Sequence, residues 1–128
     1  MASAAARRPY HISFRGTAVY QHAEDVATTS IRAARTPVDG APTFNLGGTV
    51  ASMDDVIDAI DAAVPEMEGA ITAEPTVMPF PEDMDGAPLE AAIGKLTWRP
   101  FKEGVADTIA HFQRAIEADR INIDRAIA

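Results

Sequence analysis

The chain has 128 residues, a hydrophobic fraction of 47% and no cysteine, and it carries a formal charge of −8 at pH 7. The length predicts one domain with a modest core, and the hydrophobic fraction excludes a disordered chain. The negative charge argues against nucleic acid or an anionic membrane as partner, since both attract basic surfaces. The lack of cysteine excludes disulfides, thiol catalysis and the common structural zinc sites. With neither a secretory signal nor an apolar run of about 18 residues, the sequence predicts a cytoplasmic protein.

The first 35 residues predict a helix end, two strands and a helix. Residues 1–8 are good helix formers that stop at Pro9, and a helix end without a preceding cap suggests a fragment of a longer protein. Residues 10–14 alternate apolar and polar side chains, which is typical of a strand, and 19–20 form a second short extended piece. Helical spacing of apolar residues then covers 23–34.

The middle of the chain predicts a strand, a helix and a second strand. Residues 43–46 have the composition of a brief strand, and the two glycines at 47–48 predict a tight turn with positive φ. A capping-box pattern at 52–55 starts a helix whose apolar stripe ends at Pro65. Residues 70–73 form the next strand, so the segment is predicted to be a βαβ unit with parallel strands.

The last third predicts a loop and two helices. Residues 74–88 contain four prolines and several acids, which indicates a surface loop or a lid. A short helix follows at 89–93, and the last helix starts after Pro100 with an apolar stripe that could continue to residue 127. We therefore expect one α/β domain over 1–128, a small sheet with flanking helices, and a C-terminal tail at 117–128.

No chemical motif is complete. None of His11, His22 and His111 has a second ligand at the spacing that metal sites require, so no metal site is predicted. The serines lie in no nucleophile elbow, and Ser52 is explained as a helix cap. The run 45–48 lies between a strand and a helix, but it lacks the glycine and lysine pattern of a phosphate-binding loop.

Several segments, taken together, resemble a known family. Residues 8–14 (RPYHISF), 22–27 (HAEDVA) and 44–48 (FNLGG) resemble the C-terminal portion of the extended short-chain dehydrogenase/reductases, the NAD-dependent epimerase/dehydratase family. The segment 89–112, with its Ile-Gly turn, its proline and its Glu-Gly-Val helix start, is similar to the closing pattern of that family. The resemblance runs over about residues 1–112, in the right order and spacing.

The resemblance implies a substrate-side region without its own chemistry. Enzymes of this family have an N-terminal Rossmann domain with a Gly-x-x-Gly-x-x-Gly loop for NAD(P) and a Tyr-x-x-x-Lys pair. Neither motif occurs here, and neither Tyr10 nor Tyr20 has a lysine four residues on. The chain therefore resembles about the last two-fifths of such an enzyme, with no catalytic or cofactor-binding residue of its own.

The resemblance also points to the type of substrate. Nucleotide-sugar members of the family usually have an arginine seven residues before the position of Asp25, where this chain has Ala18. The loop 74–88 lacks an arginine as well, so a sugar acid or a small hydroxy compound is favoured over a nucleotide sugar. Asp25 is assigned to structure, capping or anchoring its helix. The residues expected near the substrate are Phe14, Arg15, Gly16, His22, Asn45 and Phe80.

The leading hypothesis is thus the substrate-binding part of an NAD-dependent epimerase/dehydratase-like oxidoreductase, inactive alone. Its expected partners are a small-molecule substrate and the Rossmann domain of the full-length enzyme. Without the Rossmann domain, the apolar faces that would pack on it are exposed, which predicts a homo-oligomer. The alternative is a stand-alone, non-catalytic module that binds a small molecule or a protein. The two hypotheses differ in whether residues 1–8 pack on the domain.

Overall fold

The structure is a computed structural model that describes residues 1–79 and 81–127. Within these residues, no helix has both the length and the apolar character needed to cross a membrane. The helices are α1 (Ala2–Ala5), α2 (Ala23–Arg35), α3 (Met53–Ala63), α4 (Ala87–Ile93), α5 (Phe101–Glu117) and α6 (Ile123–Ala126), with a 3₁₀ turn at Pro65–Met67. The strands are β1 (Tyr10–Ile12), β2 (Thr17–Tyr20), β3 (Thr49–Ser52) and β4 (Ile71–Ala73).

The four strands form two short pairs. β1 and β4 are parallel, with Tyr10 opposite Ile71. β2 and β3 are antiparallel, with Thr17 opposite Ser52 at one end. An isolated parallel bridge between Arg15 and Val77 lies beyond the first pair. The expected mixed α/β architecture, a small sheet with flanking helices, is confirmed.

The strand expected at 43–46 is wrong. These residues have no regular structure, and the strand is β3, three residues after the predicted segment. Thr43, Phe44 and Asn45 are exposed, whereas β3 includes the buried Ala51 and packs beside β2. The strand β4 is parallel to another strand, as expected, but its partner is β1. The two parallel strands are therefore separated in sequence by β2, α2, β3 and α3.

The two glycines at 47–48 are explained by contact, not by a positive φ. The glycines with positive φ in the described residues are Gly16, Gly40, Gly69 and Gly94. A Cβ atom on Gly48 would lie 2.6 Å from the carbonyl oxygen of Tyr20, closer than real Cβ atoms approach. Any side chain at position 48 would therefore push this end of β3 away from β2.

The helix α3 forms the centre of the main core. Its capping box is complete, because Ser52 Oγ accepts from Asp55 N at 3.1 Å and an oxygen of Asp55 accepts from Ser52 N at 2.8 Å. The stripe predicted from the sequence is buried, with Ile60 only 2% exposed, and it packs on α5. The buried members of this cluster are Ala4, Met53, Val56, Ala59, Ile60, Val64, Met67, Ile71, Val105 and Ile109.

A second, smaller cluster lies under the end of the proline-rich loop. Leu89, Ile93 and Leu96 are buried here, and Leu46 and Trp98 pack against them. The turn of the chain after α4 uses Gly94, whose φ is +87°. This cluster joins α4 and the segment before α5 to residue 46.

The last helix is shorter than its predicted maximum. α5 ends at Glu117, and α6 is a separate helix capped by Asn122, whose Oδ1 accepts from Arg125 N at 3.0 Å. The helix stops because Asp119 adopts a left-handed conformation, with φ of 52°. The apolar stripe of α5 therefore does not continue through Ile127.

Candidate functional site

Four of the residues expected near the substrate lie at the two ends of β2. Phe14, Arg15 and Gly16 precede this strand and His22 follows it. A strand rises about 3.4 Å per residue, so the six residues from Gly16 to His22 span up to about 20 Å. Phe80 lies outside the described residues. The five described residues do not converge on one pocket.

At the first end of β2, Arg15 is fixed by the proline-rich loop and by α3. Its backbone amide donates to the carbonyl of Thr76 at 2.6 Å, and its carbonyl accepts from Met78 N at 3.1 Å. Its guanidinium forms an ion pair with Asp54 in the first turn of α3. A substrate anion would have to compete with Asp54 for this arginine.

Phe14 and Gly16 stabilise the same segment, the loop between β1 and β2. Phe14 is half-buried and packs against the main core. Gly16 has a φ of +137°, a conformation that side chains rarely adopt, and its carbonyl accepts from Met53 N at 2.9 Å. The two residues thus hold the loop before β2 against the start of α3.

Asn45 lies in a separate, open cleft with a volume of about 360 Å³. Thr43, Phe44, Asp85 and Pro88 form the rest of its lining. This volume is in the range of small-molecule sites, about 300–1,000 Å³. Asp85 and Pro88 of the proline-rich loop thus line the same cleft as Asn45.

Close backbone contact holds this loop in place. A Cβ on Gly86 would lie 3.0 Å from the backbone nitrogen of Gly47, so the two glycines pass directly over one another. The side-chain amide of Gln21 donates to the carbonyl oxygens of Leu46 and Gly47, at 3.3 and 3.2 Å. The segment before β3 is therefore held between β2 and the loop.

His22 belongs to a charged cluster that the sequence did not reveal. Arg99 is its centre: Nη2 donates to Glu24 at 2.8 Å, and Nη1 pairs with Asp107 and lies 3.3 Å from His22 Nε2. The hydrogen bond to Glu24, and then the nearby carboxylates, raise the pKa of Arg99 further above its usual value. Asp25 binds the backbone of the same arginine, accepting from Arg99 N at 2.8 Å. Asp25 thus anchors α2 to the residue before Pro100, in agreement with a structural role.

His22 caps α2, because its Nδ1 accepts from the backbone amide of Glu24 at 3.4 Å. Its Nε2 lies 3.3 Å from Nη1 of Arg99 and 3.4 Å from a carboxylate oxygen of Asp107. The side chain is 10% exposed, so this histidine is a buried connection between α2 and α5.

The same cluster has the ligand types of a metal site, but a guanidinium fills it. Ligand atoms of His22, Glu24 and Asp107 lie within 4.8 Å of one another. Arg99 contacts all three of these side chains. An ion would have to displace this arginine, so the arrangement acts as an ion-pair network that joins α2 to α5.

The cleft beside this network is small. Tyr20, Gln21, Trp98 and Phe101 are among its lining residues, and its volume is about 80 Å³. That space is sufficient for a few water molecules and too small for a typical substrate. The ring of Tyr20 packs edge-on against Phe101 at 5.7 Å, and burial raises the pKa of its hydroxyl. Tyr20 therefore stays protonated near neutral pH.

The network was missed because its residues are distant in sequence. Arg99 lies 74 residues from Asp25 and 75 from Glu24. Two acids in the first turn of a helix have a sufficient local explanation, since they complement the helix dipole. The sequence offered one indication of an ion pair: Arg99 lies just before α5, and Asp107 lies in the second turn of that helix.

Comparison with known proteins supports the fold. No protein-family model matches the sequence, and no curated protein matches it. The chain is similar to a solved structure of a "Partial Consensus L-threonine 3-dehydrogenase (E-change)", with a TM-score of 0.73 and 20% sequence identity. The match covers 88% of this chain and 39% of that chain. The chain thus shares its fold with part of that structure and spans about two-fifths of its length.

Proposed function

We propose that the chain is the substrate-side part of an NAD-dependent oxidoreductase of the extended short-chain dehydrogenase/reductase type, inactive without a nucleotide-binding part. The observation that carries the proposal is the match of 88% of the chain to 39% of an L-threonine 3-dehydrogenase. The ordered sequence segments of the same family give independent support. The remaining part of such an enzyme would supply the nucleotide site.

The catalytic Tyr-x-x-x-Lys pair of that family does not occur in the sequence. Oxidation of a hydroxyl compound needs a nicotinamide that accepts the hydride and a base that accepts the hydroxyl proton. The sequence has two tyrosines, Tyr10 and Tyr20, neither with a lysine four residues later. Both reacting groups would therefore come from the nucleotide-binding part, and this chain would orient and cover the substrate.

The free edge of β1 is the proposed docking position for that part. Tyr10 N donates to the carbonyl of Ala70, and the carbonyl of Ile12 accepts from Glu74 N, so these groups face β4. In a parallel ladder the amide and carbonyl of the residue between them, His11, point to the other edge. Parallel sheets are almost always covered on both faces, yet Tyr10 is 44% exposed. A parallel strand from the nucleotide-binding part would complete this sheet.

The polar side chains on one face of the β1–β4 pair contact one another. His11 and Thr72 are cross-strand neighbours, with Nδ1 and Oγ1 2.7 Å apart, and His11 Nε2 lies 3.0 Å from Glu74 Oε1. These polar contacts give both ring nitrogens of His11 a partner. A covering helix would meet side chains that already have partners.

The proposed substrate is a small hydroxy compound. Arg15 would bind an anionic group of the substrate in competition with Asp54, and Asn45 would contribute from the cleft under the proline-rich loop. The named substrate of the similar structure, L-threonine, has a hydroxyl and a carboxylate and fits this description. A sugar acid has the same two groups.

Reconstitution tests the proposal. The full chain is mixed with the nucleotide-binding portion of an L-threonine 3-dehydrogenase, and NADH formation from L-threonine or sugar acids is followed at 340 nm. We expect activity only in the mixture, together with slower hydrogen exchange of the His11 amide. Dehydrogenase activity of the chain alone would overturn the proposal, as would a mixture with neither association nor activity.

Self-association is part of the same proposal. Val77 is 70% exposed, and Met78 and Tyr10 are also exposed large hydrophobic residues. Left uncovered, exposed apolar side chains of this kind would favour a dimer or larger species. Sedimentation velocity at micromolar concentration should show it, and a clean monomer would count against it.

One observation favours the second candidate, a stand-alone module that binds a small molecule or a protein. Ser3 and Ala4 are buried, and α1 packs on α5 and near α6. Residues 1–6 thus pack on the domain, whereas Arg7 and Arg8 are exposed. The reconstitution experiment separates the two candidates, because a stand-alone module would gain no activity from a nucleotide-binding part.

A further inference from the structure

A groove at the C-terminal end of α5 differs in charge from the rest of the chain. It has a volume of about 570 Å³ and is lined by His111, Phe112, Arg114, Ala115, Ala118, Arg120 and Ile121. No carboxylate is among these residues, although the chain as a whole carries a charge of −8. The lining therefore consists of two arginines, one histidine and four apolar residues.

The helix end fixes one wall of this groove. Arg120 N donates to the carbonyl of Ala115 at 2.8 Å, and Asp119 N donates to that of Ile116 at 3.0 Å. This pair of bonds, with Asp119 at a φ of 52°, is a Schellman motif. The motif turns the chain back along the helix, so Arg120 comes beside the last turns of α5.

Neither arginine of the groove has a carboxylate partner among the residues that the structure describes. Among residues 1–79 and 81–127, no acidic oxygen lies within 4.0 Å of Arg114 or Arg120. Arg8, Arg15 and Arg99 each have such a partner. Two unpaired guanidinium groups at one rim can each donate paired hydrogen bonds to a phosphate or carboxylate.

We infer that this groove binds a small organic anion, a phosphate ester or carboxylate with an apolar body. The anionic group would contact Arg114 and Arg120, and the apolar body would lie on Phe112, Ala115 and Ile121. The volume is within the range of small-molecule sites. This inference is independent of the proposed oxidoreductase function.

Titration of the full chain with phenyl phosphate, followed by ¹H–¹⁵N NMR, tests the inference. We expect saturable shifts confined to residues 111–121, with benzoate binding at the same place. Inorganic phosphate should bind at least tenfold more weakly, and phenol should cause no such shifts. Equal affinity for inorganic phosphate and phenyl phosphate would overturn the role of the apolar wall.

Variants with the same change in net charge distinguish binding in the groove from general electrostatic attraction of the anion to the protein. The double variant Arg114→Gln/Arg120→Gln should weaken phenyl phosphate binding about tenfold or more. The double variant Arg35→Gln/Lys95→Gln changes the net charge equally and should leave binding unchanged. A second variant, Ala118→Glu, places a carboxylate in the groove at an exposed position and should also abolish binding. Equal effects of the two double variants, or unchanged binding in Ala118→Glu, would overturn the inference.

Discussion

The carboxylate of Asp25 accepts a hydrogen bond of 2.8 Å from the backbone amide of Arg99, across 74 residues of sequence. The side chain of Asp25 is 16% exposed, so water provides little replacement for this bond. The contact holds the start of α2 against the residues that lead into α5. The guanidinium of the same arginine then pairs with Glu24 and Asp107.

Asp25→Ala should lower the free energy of unfolding by about 1–3 kcal/mol, because it leaves the amide of Arg99 without its acceptor. Urea denaturation measures this loss. Glu24→Ala is the control, since Glu24 is exposed and its ion pair should contribute less than about 1 kcal/mol. Equal losses in the two variants would show that the backbone bond is not the important contact.

Gly48→Ala should destabilise the chain by about 1–3 kcal/mol, because the added Cβ collides with the carbonyl oxygen of Tyr20. Gly104→Ala provides the opposite case. Its Cβ would meet His22 at an ordinary 3.7 Å, and alanine in a helix is favoured over glycine by about 1 kcal/mol. Thermal melting of both variants should therefore give shifts of opposite sign, and a lower melting temperature for Gly104→Ala would contradict the geometry at α5.

The capping box of α3 predicts a specific loss of stability in acid. Hydrogen bonds from Ser52 hold the pKa of Asp55 below its ordinary value. This stabilisation is complete above the ordinary aspartate pKa, near 4, and is lost as the pH falls through the lower folded pKa. Ser52→Ala should cost about 1 kcal/mol at pH 7 and should flatten the acid dependence. Urea denaturation from pH 2 to pH 7 measures both effects, and an unchanged acid limb in Ser52→Ala would count against the capping box.

Asp119→Gly should stabilise the end of α5, because glycine adopts a φ of 52° without steric cost. Asp119→Val should destabilise it by about 1–2 kcal/mol, since a β-branched residue is strongly disfavoured there. Differential scanning calorimetry of the two variants measures the difference. If both had the same melting temperature, the left-handed conformation would not be needed at this helix end.

Local patterns predicted most helices and strands. The stripes of α3 and α5 and the capping box at 52–55 depend on neighbours within one or two turns, so they can be identified from spacing alone. For α2 the spacing identified the helix but not its buried face, because Ile31 of the predicted stripe is 54% exposed and the buried residue is Thr29. The prediction of a strand at 43–46 was wrong. The composition of this segment suits a strand, but the described residues provide no partner strand beside it. β3 starts directly after Gly48. Position 48 has no room for a side chain because it contacts the backbone of Tyr20, which is distant in sequence.

The five predicted substrate residues that the structure describes lie in three separate places. Phe14, Arg15 and Gly16 lie together, but His22 is at the other end of β2 and Asn45 is in a separate cleft. Their spacing in sequence could not show this, because the convergence of side chains is decided by strand length and by loop packing. The network around Arg99 was also invisible, since each of its members has a sufficient local explanation.

The central claim is that nucleotide binding comes from outside this chain, and titration with NADH tests it most directly. The increase in NADH fluorescence is measured with the full chain alone and with the nucleotide-binding portion of an L-threonine 3-dehydrogenase added. We predict no saturable binding by the chain alone, and saturable binding with an altered emission maximum in the mixture relative to the added portion by itself. Saturable, stoichiometric binding of NADH by the chain alone would contradict the account.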